Sequence, residues 1–315
     1  MLKLADHWVW DSWYATDDEG RHHGFFLRAS RALQEEGRRH LRASIGHAVS
    51  EDMQDWTLLP DALVFDDGPS WDDLATWTGS VVRDDAGRWR MFYTGVSRAE
   101  DGKVQRIGSA VSDDLVVWQR NPGPLVEADP RFYEQYNESS GWFDEACRDP
   151  WVFRDPAGDG WHMLFTARVA GAEPARQRGV VGHARSRDLG EWEVLEPLSV
   201  PDALGFGQIE VTQLHRVDGQ WLLLFCCGPG EAADERRALG EQGDNYVVPV
   251  ENFLDGFDIA KARPFEHESL YAARLHDIDG QAHLIGFRNL EGGEFVGELT
   301  DPIPVRWDGE RLVRK

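Results

Sequence analysis

The stretch "IGSAVSDDLVVW" (107–118) decides the fold, because two further stretches repeat it. "IGHAVSEDMQDW" (45–56) and "VGHARSRDLGEW" (181–192) align with it without gaps. Each stretch predicts an alternating apolar strand, a Ser-x-Asp turn and a tryptophan that starts the next strand. Self-similarity of this kind is typical of repeat architectures.

A second, more regular set of segments surrounds these repeats. Each is a strand, an acidic turn that contains glycine, and a strand rich in Phe, Leu and Trp, which is a strong hairpin pattern. The turn glycines are Gly20, Gly87, Gly160, Gly219 and Gly280. They are 67, 73, 59 and 61 residues apart, close to a fifth of the 315-residue chain.

No helical 3.6-residue pattern of useful length separates the hairpins. The sequence therefore predicts an all-β fold, a five-bladed β-propeller of four-stranded blades that forms a single domain over residues 1–315. A β-sandwich is the competing all-β fold, but it gives no reason for a fivefold repeat. Most Trp and Phe side chains are then expected to pack between blades.

Composition limits the partners. The net charge of -23 argues against nucleic acid and against anionic membranes. No apolar run approaches the roughly 18 residues of a membrane span, and "MLKLADHW" lacks the apolar region of a signal peptide. Of the three cysteines, the two in the strand-like "WLLLFCCG", Cys226 and Cys227, are expected to be core thiols. We therefore expect a cytoplasmic protein without a cofactor.

Carboxylates recur at the positions that face the propeller axis. Asp11, Asp149 and Glu210 precede the turn glycines of their hairpins by nine, eleven and nine residues. These similar distances predict that the three side chains lie at a common level along the propeller axis. Buried carboxylates are costly unless they are paired or functional. The other two blades offer hydroxyl residues at matching positions, namely Thr78, Ser80, Ser269 and Tyr271.

Such a cluster suits glycoside cleavage. Like charges at close range separate the pKa values of carboxyl groups, which provides an acid for the leaving oxygen and a nucleophile or base. A third carboxylate suits hydroxyl binding or the charge of an oxocarbenium-like transition state. Flat apolar faces for a sugar ring are available at several tryptophans, of which roughly half are expected in the core. These are Trp10, Trp13, Trp77 and Trp142.

The motifs "VWDSW", "TWTGS", "CRDPWVF" and the Ile-Glu pair heading the fourth blade resemble the five-bladed fructosyl-processing enzymes, glycoside hydrolase families 68 and 32. The Trp-Asp-Ser-Trp motif is closer to family 68. The resemblance implies that Asp11 is the nucleophile, Asp149 the transition-state stabiliser and Glu210 the acid/base. It also implies a retaining reaction on a β-fructoside such as sucrose or a short fructooligosaccharide, with transfer to another sugar as a possible second outcome.

The same resemblance implies several binding residues. Arg148 would bind fructosyl hydroxyls, Trp10 would line the pocket, and Thr78 would steady the nucleophile. Gln208, two residues before Glu210, is a candidate for the acceptor side. Family 32 proteins carry a C-terminal β-sandwich, whereas this chain ends soon after blade five, so none is expected. The predicted partner is a small carbohydrate, and no loop has the ligand spacing of a Ca²⁺ site.

Two other functions stay open. One is an inverting glycosidase of the arabinofuranosidase type (family 43), whose carboxyl pair is about 6.5–9.5 Å apart rather than about 5–5.5 Å. The other is a sugar-binding propeller without catalysis. His22 and His23 are expected at the surface or at a strand edge. The loops 134–146 and 230–246 are expected to lie beside the pocket, and the second loop is expected to contain a short helix. Four aspartates are expected to form turns, namely Asp17, Asp18, Asp84 and Asp85.

Overall fold

The computed structural model describes residues 1–139, 141–171, 173–241, 243–264 and 270–315. Within these ranges the strands form five antiparallel sheets that follow one another along the chain as the blades of a propeller, as predicted. Four sheets have four strands and the fifth has five. Each blade is one contiguous piece of chain, and the predicted axial residue Ser269 lies outside the described residues.

The strands are numbered in chain order. Blade one comprises β1 His7–Thr16, β2 His22–Ser30, β3 Ser44–Ser50 and β4 Thr57–Leu63. Blade two comprises β5 Ala75–Arg83, β6 Trp89–Val96, β7 Gln105–Ser112 and β8 Gln119–Arg120. Blade three comprises β9 Cys147–Arg154, β10 Trp161–Arg168, β11 Gly179–Ser186 and β12 Glu193–Leu195.

Blade four comprises β13 Glu210–Val217, β14 Gln220–Cys226, β15 Asn245–Val250 and β16 Arg263–Pro264. Blade five comprises β17 Leu270–Ile278, β18 Gln281–Glu291, β19 Glu294–Leu299, β20 Ile303–Trp307 and β21 Leu312–Arg314. The predicted short helix in the loop 230–246 is α1, Asp234–Ala238. Short 3₁₀ helices span Arg31–Leu33, Glu36–Arg42, Arg98–Glu100, Ala175–Gln177, Phe253–Asp255 and Ile259–Lys261.

The extra strand of blade five arises from a break in its third strand. β18 pairs with β19 through Phe287 and Leu299, and with β20 through Leu284 and Ile303. Pro302 lies between β19 and β20, and proline has no N–H to donate to a sheet. One predicted strand is therefore divided in two.

The Ser-x-Asp repeat is a hydrogen-bonded turn. In blade one the Ser50 hydroxyl donates to Asp52 over 3.0 Å, and the backbone N–H of Gln54 donates to the same carboxylate over 2.9 Å. This bonding holds Met53, which is 1% exposed, at a φ of 59°. The equivalent leucines of blades two and three, Leu115 and Leu189, have φ values of 65° and 66°. The repeat thus places a buried apolar residue with a left-handed backbone conformation in each of these three blades.

The hairpin turns follow the predicted chemistry. The five turn glycines have φ values between 76° and 93°, a region that glycine adopts without steric cost. Asp17 accepts backbone hydrogen bonds from Glu19 and Arg21, and Asp84 forms the equivalent turn in blade two. Asp18 and Asp85 lie in these turns, but their carboxylates pair with arginines of the next blade, namely Arg83 and Arg154.

The expectation for His22 and His23 was wrong, because both are buried, at 7% and 2% exposure. The Nδ1 atom of His23 lies 2.9 Å from Nε2 of His47, and its Nε2 lies 3.3 Å from Asp17. His23 thus has a polar partner at each of its ring nitrogens, as buried polar groups generally do. Blade three repeats this chain, with distances of 3.2 and 2.8 Å, through Asp155, His162 and His183.

The core consists of layers between neighbouring blades. For example, Phe92 of blade two packs in one cluster with Met163 and Phe165 of blade three. Blades one and five close the ring at Leu2 and Leu299, where the N–H of Leu299 donates to the carbonyl of Leu2 over 3.0 Å. Among the described residues, no helix is both long and apolar enough to cross a membrane.

Candidate active site

Each innermost strand carries one extra residue at the same place. The pairing with the second strand shifts after Trp10 in β1 and after Trp77 in β5. The same shift follows Arg148, Glu210 and Tyr271 in the other three blades. A β-bulge bends the strand and redirects a side chain, which explains why bulges occur beside active sites.

These bulges define two rings of residues around the axis. The last paired residues before the bulge are Trp10, Trp77, Arg148, Glu210 and Tyr271. The first bulge residues are Asp11, Thr78, Asp149, Val211 and Ala272. The predicted common level was therefore wrong for one carboxylate, because Glu210 shares its register position with Arg148 rather than with Asp149.

Residues of both rings line one cavity of about 450 Å³. It is within the size range of small-molecule sites. Nine of the residues that the sequence predicts for the site line this cavity, and the structure thus brings them together. They are Trp10, Asp11, Trp77, Thr78, Arg148, Asp149, Gln208, Glu210 and Tyr271.

Asp11 receives its hydrogen bond from the neighbouring blade. The Thr78 hydroxyl, which is 1% exposed, donates to Oδ2 of Asp11. Burial raises the pKa of Asp11 to about 7, and the charge of Asp149 adds to this increase. The Thr78 hydrogen bond opposes the shift, because it stabilises the ionised carboxylate.

Asp149 is fixed on three sides. Its Oδ2 accepts from the Thr166 hydroxyl over 2.9 Å and from the N–H of Val211 over 3.2 Å. Its own N–H donates to the Thr94 hydroxyl over 2.9 Å, which accommodates a left-handed φ of 58°. Burial raises the pKa of Asp149, and the charge of Arg148 opposes that increase.

Glu210 is held by one donor on each oxygen. The Tyr271 hydroxyl donates to Oε2 over 2.7 Å, and Nη2 of Arg148 donates to Oε1 over 2.7 Å. Burial raises the pKa of Tyr271 well above its usual value, so the phenol remains a donor at neutral pH. Nε of Arg148 also lies 3.4 Å from Oδ2 of Asp149. Arg148 therefore bridges two of the three carboxylates.

A buried polar network positions Arg148 from behind. Its Nη1 donates to Gln105 Oε1 over 3.0 Å, and Gln105 Nε2 donates to Asp144 over 2.7 Å. The Gln208 amide donates to the other Asp144 oxygen over 3.0 Å. Sequence reasoning missed Gln105 and Asp144. The proximity of Asp144 to Arg148, four residues along the chain, is a local signal of their ion pair. Gln105 has no such signal in the sequence.

Arg274 is a third residue of the site that sequence reasoning missed. It is 1% exposed, and it donates to the carbonyl oxygens of Thr212 and Gly79 over 3.1 and 3.4 Å. Burial lowers its pKa to about 10, while the charges of Asp149 and Asp11 oppose this. A charged residue inside the apolar β17 was the available signal. Arg274 supplies positive charge close to two carboxylates.

The aromatic walls agree only partly with the sequence hypothesis. Trp10 lines the cavity and packs against Arg39, while the Trp77 indole N–H donates to the carbonyl of His40 over 2.7 Å. Trp13 was wrongly considered a sugar platform, because it is 1% exposed and stacks on Phe25 in the core. Trp142 lines an adjacent cavity instead.

No metal centre accompanies the carboxylates in the part of the chain that the structure describes. There, no group of three or more His, Cys, Asp and Glu side chains has the arrangement of a metal site. The three cysteines, Cys147, Cys226 and Cys227, are buried and form no disulfide.

A five-bladed propeller with a carboxylate-lined axial cavity defines a class of glycoside-processing proteins. Residues 5–288 match the family described as Glycosyl hydrolases family 32 N-terminal domain. The chain therefore belongs to glycosyl hydrolase family 32.

Characterised relatives agree with this membership. A levansucrase of Zymomonas mobilis is 28% identical over 299 residues, which cover 87% of this chain and 63% of the relative. A sucrose-6-phosphate hydrolase of Klebsiella pneumoniae is 28% identical over 296 residues, 89% of this chain and 56% of the relative. An extracellular sucrase of Zymomonas mobilis aligns over 55% of its own length. The chain thus spans little more than half the length of these proteins.

A solved structure shares the fold. The inulosucrase from Halalkalicoccus jeotgali bound to kestose superposes with a TM-score of 0.75 at 23% identity. The alignment covers 99% of this chain and 89% of the inulosucrase.

Proposed function

We propose that this protein is a retaining glycoside hydrolase that acts on β-fructosides, either sucrose or short fructooligosaccharides. The observation that carries the proposal is the convergence of Asp11, Asp149 and Glu210 from three blades on one cavity. Each carboxylate has a different set of partners, which suits three different roles. The names of the sucrase and levansucrase relatives support the substrate class.

Asp11 acts as the nucleophile in this proposal. The bulge removes it from the strand ladder, and the Thr78 hydroxyl orients one of its oxygens. The free oxygen attacks the anomeric carbon of the fructosyl unit and forms a covalent bond while the glycosidic bond breaks. Water then attacks the same carbon, and the Asp11 carboxylate is released.

Glu210 acts as the acid and then as the base. It gives its proton to the leaving oxygen in the first step and takes a proton from water in the second. The Tyr271 and Arg148 donors fix both of its oxygens, so the side chain is pre-oriented. Asp149 accepts hydrogen bonds from fructosyl hydroxyls, and its charge stabilises the positive transition state.

The experiment is to follow the products of sucrose, 1-kestose and an aryl arabinofuranoside by NMR immediately after mixing. Retention predicts that β-fructofuranose appears first from the two fructosides. Release of the opposite anomer would indicate the inverting mechanism, and turnover of the arabinoside alone would contradict the fructoside assignment. Formation of longer oligosaccharides at high sucrose concentration would report fructosyl transfer.

Two variants connect this reaction to the carboxylates. Asp11→Asn and Glu210→Gln should each reduce sucrose turnover by roughly 10⁴-fold or more. Asp159→Asn is the matched control, because its side chain is 82% exposed in a turn of blade three. Full activity in either site variant would contradict the proposed mechanism, and no turnover by the parent protein would indicate a binding propeller.

We also propose that the reaction takes place in the cytoplasm. Free buried thiols at Cys147, Cys226 and Cys227 are compatible with a reducing compartment. Cell fractionation followed by sucrose hydrolysis assays would test this, and activity confined to the medium would contradict it.

A further inference from the structure

A second cavity of about 430 Å³ adjoins the axial one. Three residues line both cavities, namely Phe143, Pro229 and Glu231. The second cavity continues between the loop around Trp142 and the 3₁₀ helix Ala175–Gln177. Each cavity is within the size range of ligand sites, so together they form a path longer than one sugar unit.

Glu231 lies where the two cavities meet, and one of its carboxylate oxygens lacks a hydrogen bond within the described part of the chain. Its Oε2 atom is buried and has no hydrogen-bond partner among the described residues. A buried polar atom without a partner costs free energy, and in a native site it calls for an explanation. Burial raises the pKa of Glu231 to about 7, with a contribution from the Glu210 charge. At neutral pH the carboxyl group can therefore both donate to and accept from a sugar hydroxyl.

The backbone fixes Glu231 relative to the acid/base strand. The N–H of Gly207 donates to the carbonyl of Glu231 over 2.7 Å, and the N–H of Glu231 donates to Gly228 over 3.1 Å. Gln208 and Glu210 follow Gly207 by one and three residues along the chain. The junction carboxyl group is therefore positioned by the segment that leads into the proposed acid/base.

An aromatic platform faces the same junction. Phe143 is 58% exposed and stacks on Trp142 at 5.0 Å, with an interplanar angle of 27°. The Arg168 guanidinium lies 3.8 Å from the Trp142 ring centre, which stiffens this stack. Exposed aromatic faces on a rigid support are suited to the apolar face of a sugar ring.

We propose that Glu231 and Phe143 bind the leaving-group sugar, and that the second cavity holds one further glycosyl unit beyond it. This inference rests on the proposed fructoside hydrolysis and identifies its preferred substrate as a trisaccharide or longer. Glu231 is then a specificity residue that contacts the departing sugar and takes no part in bond cleavage.

The test compares kcat/KM for methyl β-fructofuranoside, sucrose and 1-kestose, whose leaving groups contain zero, one and two sugar units. Glu231→Ala should lower kcat/KM at least tenfold for sucrose and 1-kestose while changing that for the methyl fructoside less than twofold. Glu231→Gln keeps the shape of the side chain and should lose less. Ala175→Trp fills the second cavity and should lower kcat/KM for 1-kestose alone.

Ala86→Trp, in an exposed turn of blade two, is the matched control for added bulk. An equal loss on all three substrates, or no loss, in Glu231→Ala would overturn the role of Glu231. Unchanged 1-kestose hydrolysis in Ala175→Trp would overturn the second subsite. Both results would leave fructoside hydrolysis intact, whereas a parent protein inactive on all three substrates would overturn the proposed function and this inference with it.

Discussion

Arg148 and Glu210 occupy the same register position in neighbouring blades, and Nη2 of Arg148 lies 2.7 Å from Oε1 of Glu210. The same guanidinium contacts Asp144 and Asp149 at 3.3 and 3.4 Å. One buried cation therefore faces three carboxylates. Their charges outweigh the effect of burial and raise the pKa of Arg148, so it stays charged throughout the working pH range.

Arg148→Met should destabilise the protein by about 3–5 kcal/mol at pH 8, because it leaves buried carboxylates without a counter-charge. The loss should be smaller at pH 5, where the carboxyl groups with raised pKa values can take up protons. The free energy of unfolding, measured in urea at both pH values, reports this loss of stability. Arg131→Met is the control, since its side chain is 70% exposed in a surface ion pair with Asp129. Equal destabilisation by both variants would refute this account.

Asp11→Asn should raise the melting temperature at pH 8 even though it abolishes activity. The pKa of Asp11 rises from 3.8 to about 7 on folding, so the folded state disfavours the charged form. Stability is therefore lost as the pH rises from about 4 to 7, and the amide removes this loss. The difference between variant and parent should shrink toward pH 4 in thermal scans. A melting temperature of the variant below that of the parent protein at pH 8 would contradict this prediction.

Thr78→Val should reduce kcat/KM for sucrose by roughly ten- to hundredfold, the effect of losing a hydrogen bond to a charged group. The hydroxyl lowers the pKa of Asp11, so its loss should also move the acidic limb of the pH profile to higher pH. Thr78→Ser should restore both. A uniform loss of activity without a shift of the profile would mean that Thr78 only shapes the cavity.

The buried histidine pairs should make the protein sensitive to mild acid. Burial lowers the pKa of His183 to about 3, while an unfolded histidine titrates near 6.5. The stabilisation from the His162–His183 contact is complete above pH 6.5 and is lost as the pH falls toward 3. His183→Gln should therefore destabilise at pH 8 and less at pH 5, as read from urea midpoints. A constant difference would exclude titration as the cause.

The sequence predicted the blades because their signals are local. A turn glycine such as Gly20 needs its positive φ whatever surrounds it, and the bonds of the Ser50–Asp52 turn span a few residues. The identity of the carboxylates was equally visible, since an acidic residue within an apolar strand is unusual. Signals of this kind depend only on neighbouring residues and recur in three or more of the blades, so they can be recognised in the sequence.

Local signals did not reveal how the blades combine. His22 and His23 look polar in the hairpin, but their burial depends on partners such as His47 and His276 in other strands. Gln105 has no local signal at all, and it matters only because blade two approaches Arg148. The role of such residues depends on tertiary packing, within one blade for His23 and His47 and between blades for His22 and Gln105.

The sequence by itself determined the fivefold repeat, the turns and the three carboxylates at the heads of inner strands. Only the tertiary structure decided their register, because one extra residue at Asp11 or Asp149 shifts the pairing and leaves no mark in composition. It also decided their partners, since Thr78 and Asp11 are 67 residues apart and Tyr271 and Glu210 are 61 apart. Contacts over such separations arise from the closure of the propeller, which places distant strands side by side around one axis.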